Sequence, residues 1–154
     1  MRYAGTMVQT FVTKGAAETK KAAATIAVEV VRAKHEKAFV VALEGELGAG
    51  KTTFVQGFAR ALGVKENVLS PTFVLMKIYK LPINFKLKHL IHIDCYRIDS
   101  PKDLLHLGFR DLLKDKDAII LIEWADRIRR LIPKDAVWIH FEHQTLKART
   151  IWIK

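Results

Sequence analysis

The residues Gly45-Glu46-Leu47-Gly48-Ala49-Gly50-Lys51-Thr52 have the types and spacing of a phosphate cradle, G-x-x-x-x-G-K-[ST]. At ordinary residue frequencies those four constrained positions would coincide in roughly one chain in 200 of this length. Each residue type answers a chemical need. A triphosphate requires many hydrogen-bond donors close to its oxygens. Successive backbone N–H groups supply them, and glycine lets the backbone come near. A helix starting where the loop ends adds a favourable dipole. Lys51 can reach the β- and γ-phosphates as a point charge. The Thr52 hydroxyl can ligate Mg²⁺. The competing reading of the same residues is an ordinary glycine turn ahead of a helix.

A metal-bound nucleotide also wants an acid near Thr52, and such acids end hydrophobic strands. Asp94 closes His89-Leu90-Ile91-His92-Ile93-Asp94, and Glu123 closes Ala118-Ile119-Ile120-Leu121-Ile122-Glu123. Mg²⁺ keeps several waters, so one acid can act directly and the other through water. Either can instead orient an attacking water, or cap the next helix. Thr72 follows Pro71 on a loop, where its hydroxyl can meet a γ-phosphate as a switch threonine does or simply begin a strand. Trp124, next to Glu123, is either a neighbour of the nucleotide or a core aromatic. On a strand His89 and His92 face opposite ways, while His92 and Asp94 share a face. Two ligands are too few for a dedicated zinc site, so neither these histidines nor His140 and His143 form a metal centre.

These residues need elements to hold them. Residues 38–43 read as a buried strand running into the loop. Thr52 to Leu62 reads as the helix leaving it, with Phe54, Val55, Phe58, Ala61 and Leu62 inward and Gly63 as its stop. Before them, residues 7–13 alternate as an edge strand. Residues 16–34 form an alanine-rich helix with Ala23, Ile26, Ala27, Val30 and Val31 inward. After Pro71, residues 73–80 and 89–94 read as strands and residues 101–113 as partly helical, with Pro101 in the first turn. The continuous run 118–123 reads as a buried parallel strand. A short helix over 126–131 stops before Pro133, and strands 135–142 and 147–153 form a terminal hairpin. The expectation is an α/β fold with a mixed central sheet. Strands 38–43 and 118–123 lie parallel at its centre, and the late hairpin extends it antiparallel.

At 154 residues the chain is expected to be one domain over residues 1–154, large enough to bury about two thirds of its unfolded surface. Half the residues are hydrophobic. No apolar run reaches the ~18 residues that span a bilayer, and no apolar segment of a signal peptide follows Met1. Cys95 is the only cysteine, which excludes an internal disulfide and a cysteine-rich zinc site. A cytoplasmic protein without a membrane partner is the expectation. The net charge of +10 fits either an RNA-facing surface or a solvated basic face. The basic residues are scattered, with Arg127-Ile128-Arg129-Arg130 the densest run.

Several blocks follow one another in order: Glu44 to Phe54, Ser70-Pro71-Thr72-Phe73, His92-Ile93-Asp94-Cys95-Tyr96-Arg97, Leu107-Gly108, Ile122-Glu123-Trp124 and Leu131-Ile132-Pro133. Together they resemble TsaE, the small P-loop ATPase family of bacterial tRNA threonylcarbamoyladenosine biosynthesis. The resemblance implies a protein that binds ATP and Mg²⁺ and hydrolyses ATP slowly alone. It implies association with the TsaB–TsaD pair, with tRNA reached through that complex. It further implies that ATP turnover there resets the complex between rounds of modification. The implied nucleotide-binding residues are Glu46, Leu47, Gly48, Ala49, Gly50, Lys51, Thr52 and Thr53, with Trp124 beside the nucleotide. Thr52 and Glu123 would hold Mg²⁺, with Asp94 matching the family acid of the H-x-D-x-Y-R block. Lys51, Asp94, Glu123 and Thr72 would carry the catalysis. Cys95 stands where an aliphatic residue is commoner. Glu18-Thr19 would match the family's acidic-Thr pair that encloses the nucleotide. Lys147 or Arg149 would reach it from the hairpin.

Three other functions fit parts of this pattern. Arg127, Arg129 and Arg130 could imitate the arginine lid of a small-molecule kinase. A GTPase-type switch lacks its [NT]-K-x-D guanine motif here, which favours ATP. A non-catalytic RNA-binding module would bind tRNA without nucleotide and with steep salt dependence.

Overall fold

The computed structural model describes residues 9–82 and 84–154; Met7 and Val8 of the expected first strand and Ile83 of the expected turn lie outside them. The elements run β1 (Gln9–Thr13), α1 (Ala16–Arg32), β2 (Phe39–Gly45), α2 (Lys51–Ala61), β3 (Met76–Lys80) and β4 (His89–Asp94). Then come α3 (Pro101–His106), α4 (Phe109–Leu112), β5 (Ala118–Glu123), a 3₁₀ turn (Ala125–Leu131), β6 (Val137–His143) and β7 (Arg149–Ile153). The strands form one mixed sheet in the order β1-β7-β6-β2-β5-β4-β3.

The centre of the sheet is parallel. β2 lies between β6 and β5 and runs parallel to both, and β4 runs parallel to β5. Strands buried on both faces need apolar residues at every position, and β5 obeys. Its Ile119 and Leu121 enter the core beneath α1 and α2. Its Ile120 and Ile122 enter the opposite core, with Phe109 and Ile128. The sequence placed β2 and β5 correctly at the parallel centre. The terminal hairpin differs in one respect from the expectation. β7 is antiparallel to both its neighbours, β6 and β1, while β6 meets β2 in parallel. Residues 124–136 carry the chain back across the sheet, which is enough length for a parallel crossover.

The segment at 73–80 also departs from expectation, because the strand begins only at Met76. Pro71 starts a tight turn instead. Its carbonyl accepts from the N–H groups of Val74 at 3.1 Å and Leu75 at 2.6 Å. Leu75 takes a φ of 67°, a left-handed conformation unusual for a residue without polar help. Three residues expected in the strand thus form a surface turn.

Helices α1 and α2 pack against each other at very short range. A Cβ built on Gly57 would stand 2.5 Å from Lys20 Cα and 2.7 Å from its carbonyl oxygen. Gly57→Ala should therefore destabilise the chain by about 1–3 kcal/mol through overpacking, seen as a lower midpoint in urea unfolding. A midpoint equal to the parent's would mean that α1 can shift freely away from α2. The lone Cys95 is wholly buried, and burial pushes its thiol up to about 12. It behaves as a small apolar residue rather than a nucleophile. Among the described residues no helix is long and apolar enough to cross a membrane.

Candidate functional site

β2 delivers the chain to Gly45 at the end of the central strand, and α2 departs at Lys51. The loop between them turns through positive φ at Gly48 (74°) and Gly50 (104°). Alternation of this kind lets successive N–H groups converge into an anion-binding concavity. Ala49 is fully buried beneath the loop, whereas Leu47 stands 70% exposed at its tip. The loop is braced by the Ala49 N–H donating to Glu46 O at 3.2 Å.

Lys51 is almost wholly buried. Its Nζ donates to the carbonyls of Gly45 at 2.6 Å and Glu46 at 2.8 Å, and lies 4.0 Å from the centre of the Trp124 ring. Desolvation lowers its pKa from the ordinary lysine value, while the carboxylates of Glu123, Asp126, Asp94 and Glu46 oppose that shift.

The two acids stand side by side. Asp94 and Glu123 are paired across the parallel strands β4 and β5, so both are presented at the same sheet edge. The Thr52 hydroxyl donates to Glu123 Oε1 at 3.0 Å and Oε2 at 2.9 Å. Asp94 has different partners. Its Oδ2 accepts from Thr72 Oγ1 at 3.0 Å and from Ser70 Oγ in a shorter bond. Its Oδ1 accepts from the Tyr96 N–H at 2.8 Å. Asp94 does not cap the next helix, which Ser100 caps; it fastens the turn after β4 while holding the 70–72 loop. Glu123 caps nothing of this kind and faces Thr52.

Trp124 has a φ of 57°, which swings its ring out of the β5 line onto Lys51 and against Tyr96 at 5.0 Å. It belongs to the site's wall, not to the deep core. Thr19 is buried, hydrogen-bonded to Thr13 at 2.9 Å, and a Cβ on Gly50 would lie 3.9 Å from its methyl group. The first turn of α1 thus backs the loop, though Glu18 spends a carboxylate oxygen on the Lys14 N–H at 2.7 Å. Thr53 is half-buried on the first turn of α2. Of the two hairpin candidates, Arg149 touches the loop, donating to Gly48 O at 3.3 Å; Lys147 bonds through its backbone N–H to Thr145. Arg127 and Arg129 do not converge as a lid. Arg127 donates to Tyr96 O at 2.5 Å and Arg129 to Glu44 at 2.7 Å.

Sequence reasoning missed three contributors. Ser70 joins Thr72 on Asp94, and its place two residues before Thr72 was the available signal. His143 pairs with Leu47 O at 3.3 Å, which only the hairpin's docking reveals. His92, fully buried, reaches Glu123 Oε1 at 2.8 Å; its shared face with Asp94 was the clue. Among the described residues no group of three or more His, Cys, Asp or Glu side chains could hold a metal ion. The donors gathered here are a hydroxyl and two carboxylates, hard oxygens suited to Mg²⁺. One or two carboxylates completed by phosphate oxygens is the usual Mg²⁺ arrangement, so the residues fit a metal that arrives with a nucleotide.

The family model for "Threonylcarbamoyl adenosine biosynthesis protein TsaE" matches residues 13–151. The chain belongs to the TsaE family. A Haemophilus influenzae TsaE is 37% identical over 108 residues, 70% of this chain and 65% of that protein. A Bacillus subtilis TsaE is 40% identical over 100 residues, 65% of this chain and 59% of that protein. The matched segment thus spans under two thirds of each of these two relatives. The crystal structure of Bacillus subtilis YdiB superposes with a TM-score of 0.74 at 32% identity, covering 97% of this chain and 87% of the other. The TsaE match contains all the site residues described above.

Proposed function

We propose that this TsaE-family chain binds ATP with Mg²⁺ on the 45–53 loop, hydrolyses it, and so serves tRNA N6-threonylcarbamoyladenosine formation by resetting the TsaB–TsaD pair. The observation that carries this reading is the junction of Thr52 with Glu123, one residue beyond a lysine placed at the loop's throat. A hydroxyl at the start of the helix, bonded to a strand-end carboxylate, is the pair that phosphoryl-transfer sites use to seat Mg²⁺.

Each residue then has a task. The loop N–H groups from Glu46 to Thr53 bind phosphate oxygens, and the Lys51 ammonium leaves its carbonyl partners to meet the β- and γ-phosphates. Thr52 and Glu123 would hold Mg²⁺, which when bound neutralises phosphate charge. Asp94, anchored by the Tyr96 N–H, positions the attacking water and keeps Thr72 within reach of the γ-phosphate. Trp124 and Tyr96 form an aromatic wall beside the nucleotide, and Arg149 approaches from the hairpin in preference to Lys147. Hydrolysis removes the partner of Thr72, so the 70–75 turn changes its hold and with it the affinity for the TsaB–TsaD pair.

The test is ATP hydrolysis by the purified chain, alone and with TsaB–TsaD plus tRNA. Slow turnover that rises with the pair and tRNA supports the coupled reading. Turnover indifferent to the pair rejects the coupling and leaves a nucleotide hydrolase with another partner.

A further inference from the structure

His92 sits in the middle of β4 with none of its surface exposed. Its neighbours Ile91 and Ile93 fill the apolar core on the other side of the strand. An imidazole here is expensive unless its nitrogens are satisfied. One is: Nε2 lies 2.8 Å from Glu123 Oε1. The other is not: Nδ1 is buried and, among the described residues, has no hydrogen-bond partner. This asymmetry assigns the tautomer. A carboxylate can only accept, so the proton between the two groups belongs on Nε2.

Glu123 is thus held from two sides. His92 Nε2–H fixes Oε1 from within the sheet. The Thr52 O–H bridges Oε1 and Oε2 from the start of α2. A glutamate has three side-chain torsions, and a single hydroxyl donor leaves its carboxylate free to rotate. Two donors on different elements leave it one orientation.

We infer that His92 is a positioning residue: its Nε2–H orients the Glu123 carboxylate toward Thr52 and so prepares the seat for the metal of a metal–nucleotide complex. This rests on the ATP–Mg²⁺ reading proposed above. Donors behind a metal-site carboxylate commonly change metal affinity by about 10- to 100-fold when removed.

The test compares His92→Gln with His92→Asn. The glutamine amide can reach where Nε2 stands and still donate to Glu123; the asparagine amide is too short. Should His92→Asn fail to fold, His92→Leu, an apolar filler with no donor, takes its place. ATP affinity is measured by calorimetry with EDTA and with Mg²⁺, and Mn²⁺ binding to the ATP complex by electron paramagnetic resonance. The expected result is metal-free ATP affinity within about twofold of the parent in both variants, because that affinity rests on the loop and Lys51. Mn²⁺ affinity should fall about 10- to 100-fold in His92→Asn and recover most of that loss in His92→Gln. Equal Mn²⁺ affinity in His92→Asn and the parent would overturn the inference. So would parallel losses with and without metal, which would mark His92 as merely structural. A parent chain that binds ATP no better with Mg²⁺ than with EDTA would instead reject the underlying ATP–Mg²⁺ reading, and the inference with it.

Discussion

Lys51→Met is expected to lower ATP affinity and turnover by about 10²- to 10³-fold, the scale seen when one preorganised charge contact to a reacting group is removed. In free energy that is about 3–4 kcal/mol. The fold should survive. Lys51 is buried with its ammonium folded onto the Gly45 and Glu46 carbonyls, and burial already works against its charge. A methionine fills nearly the same volume without that desolvation, and volume-conserving swaps generally change stability by less than about 1.5 kcal/mol. The carbonyls left behind belong to a solvent-facing loop. Stability and function should therefore separate: a melting curve within a few degrees of the parent, and calorimetric ATP binding that nearly vanishes. Binding within threefold of the parent would remove Lys51 from the phosphate site and return the loop to an ordinary glycine turn.

The parts of this site that were legible in the sequence are the ones set by short-range rules. The loop pattern, the strand before it and the helix after it occupy one continuous stretch, and each residue type has a local reason. Asp94 and Glu123 were legible because each ends a strand-like hydrophobic segment, continuous at 118–122 and interrupted by His92 at 89–93. Their register, Asp94 opposite Glu123, then follows from the strands starting level at His89 and Ala118. What resisted reading depends on contacts distant in sequence. The turn at 71–75 exists because Asp94 collects Ser70 and Thr72, so a stretch with strand-like composition is bent away from the sheet. The direction of β6 depends on how residues 124–136 cross the sheet, not on β6 itself. That Arg149 touches the loop depends on how the hairpin sits against Gly48. Gly57 carries no local sign that Lys20 of another helix will lie 2.5 Å from its missing side chain.

Asp94→Ala should produce the other large effect, a loss of turnover of about 100-fold or more, in the range of a lost general base or water-positioning group. Its second consequence is mechanical. Three bonds converge on this carboxylate, from Ser70, Thr72 and the Tyr96 N–H, and its own N–H donates to Leu75 O at 3.0 Å. Those contacts hold Leu75 at positive φ, a conformation that costs about 1–2 kcal/mol in an ordinary residue. They also turn Phe73 and Val74 outward, 86% and 67% exposed. Without the carboxylate the turn keeps its backbone bond at Leu75 but loses its Ser70 and Thr72 anchors, so it should relax. Hydrogen exchange of residues 70–75 is expected to quicken in Asp94→Ala while exchange in β2 and β5 stays slow. Thr72→Val should quicken the same segment less, because Ser70 remains bound. The double variant Thr72→Val/Asp94→Ala should exchange no faster than Asp94→Ala, since the two residues share one interaction and their effects do not add. Additive effects would separate the turn from the acid. The proposed link from the γ-phosphate through Thr72 to the 70–75 turn would then lose its middle member.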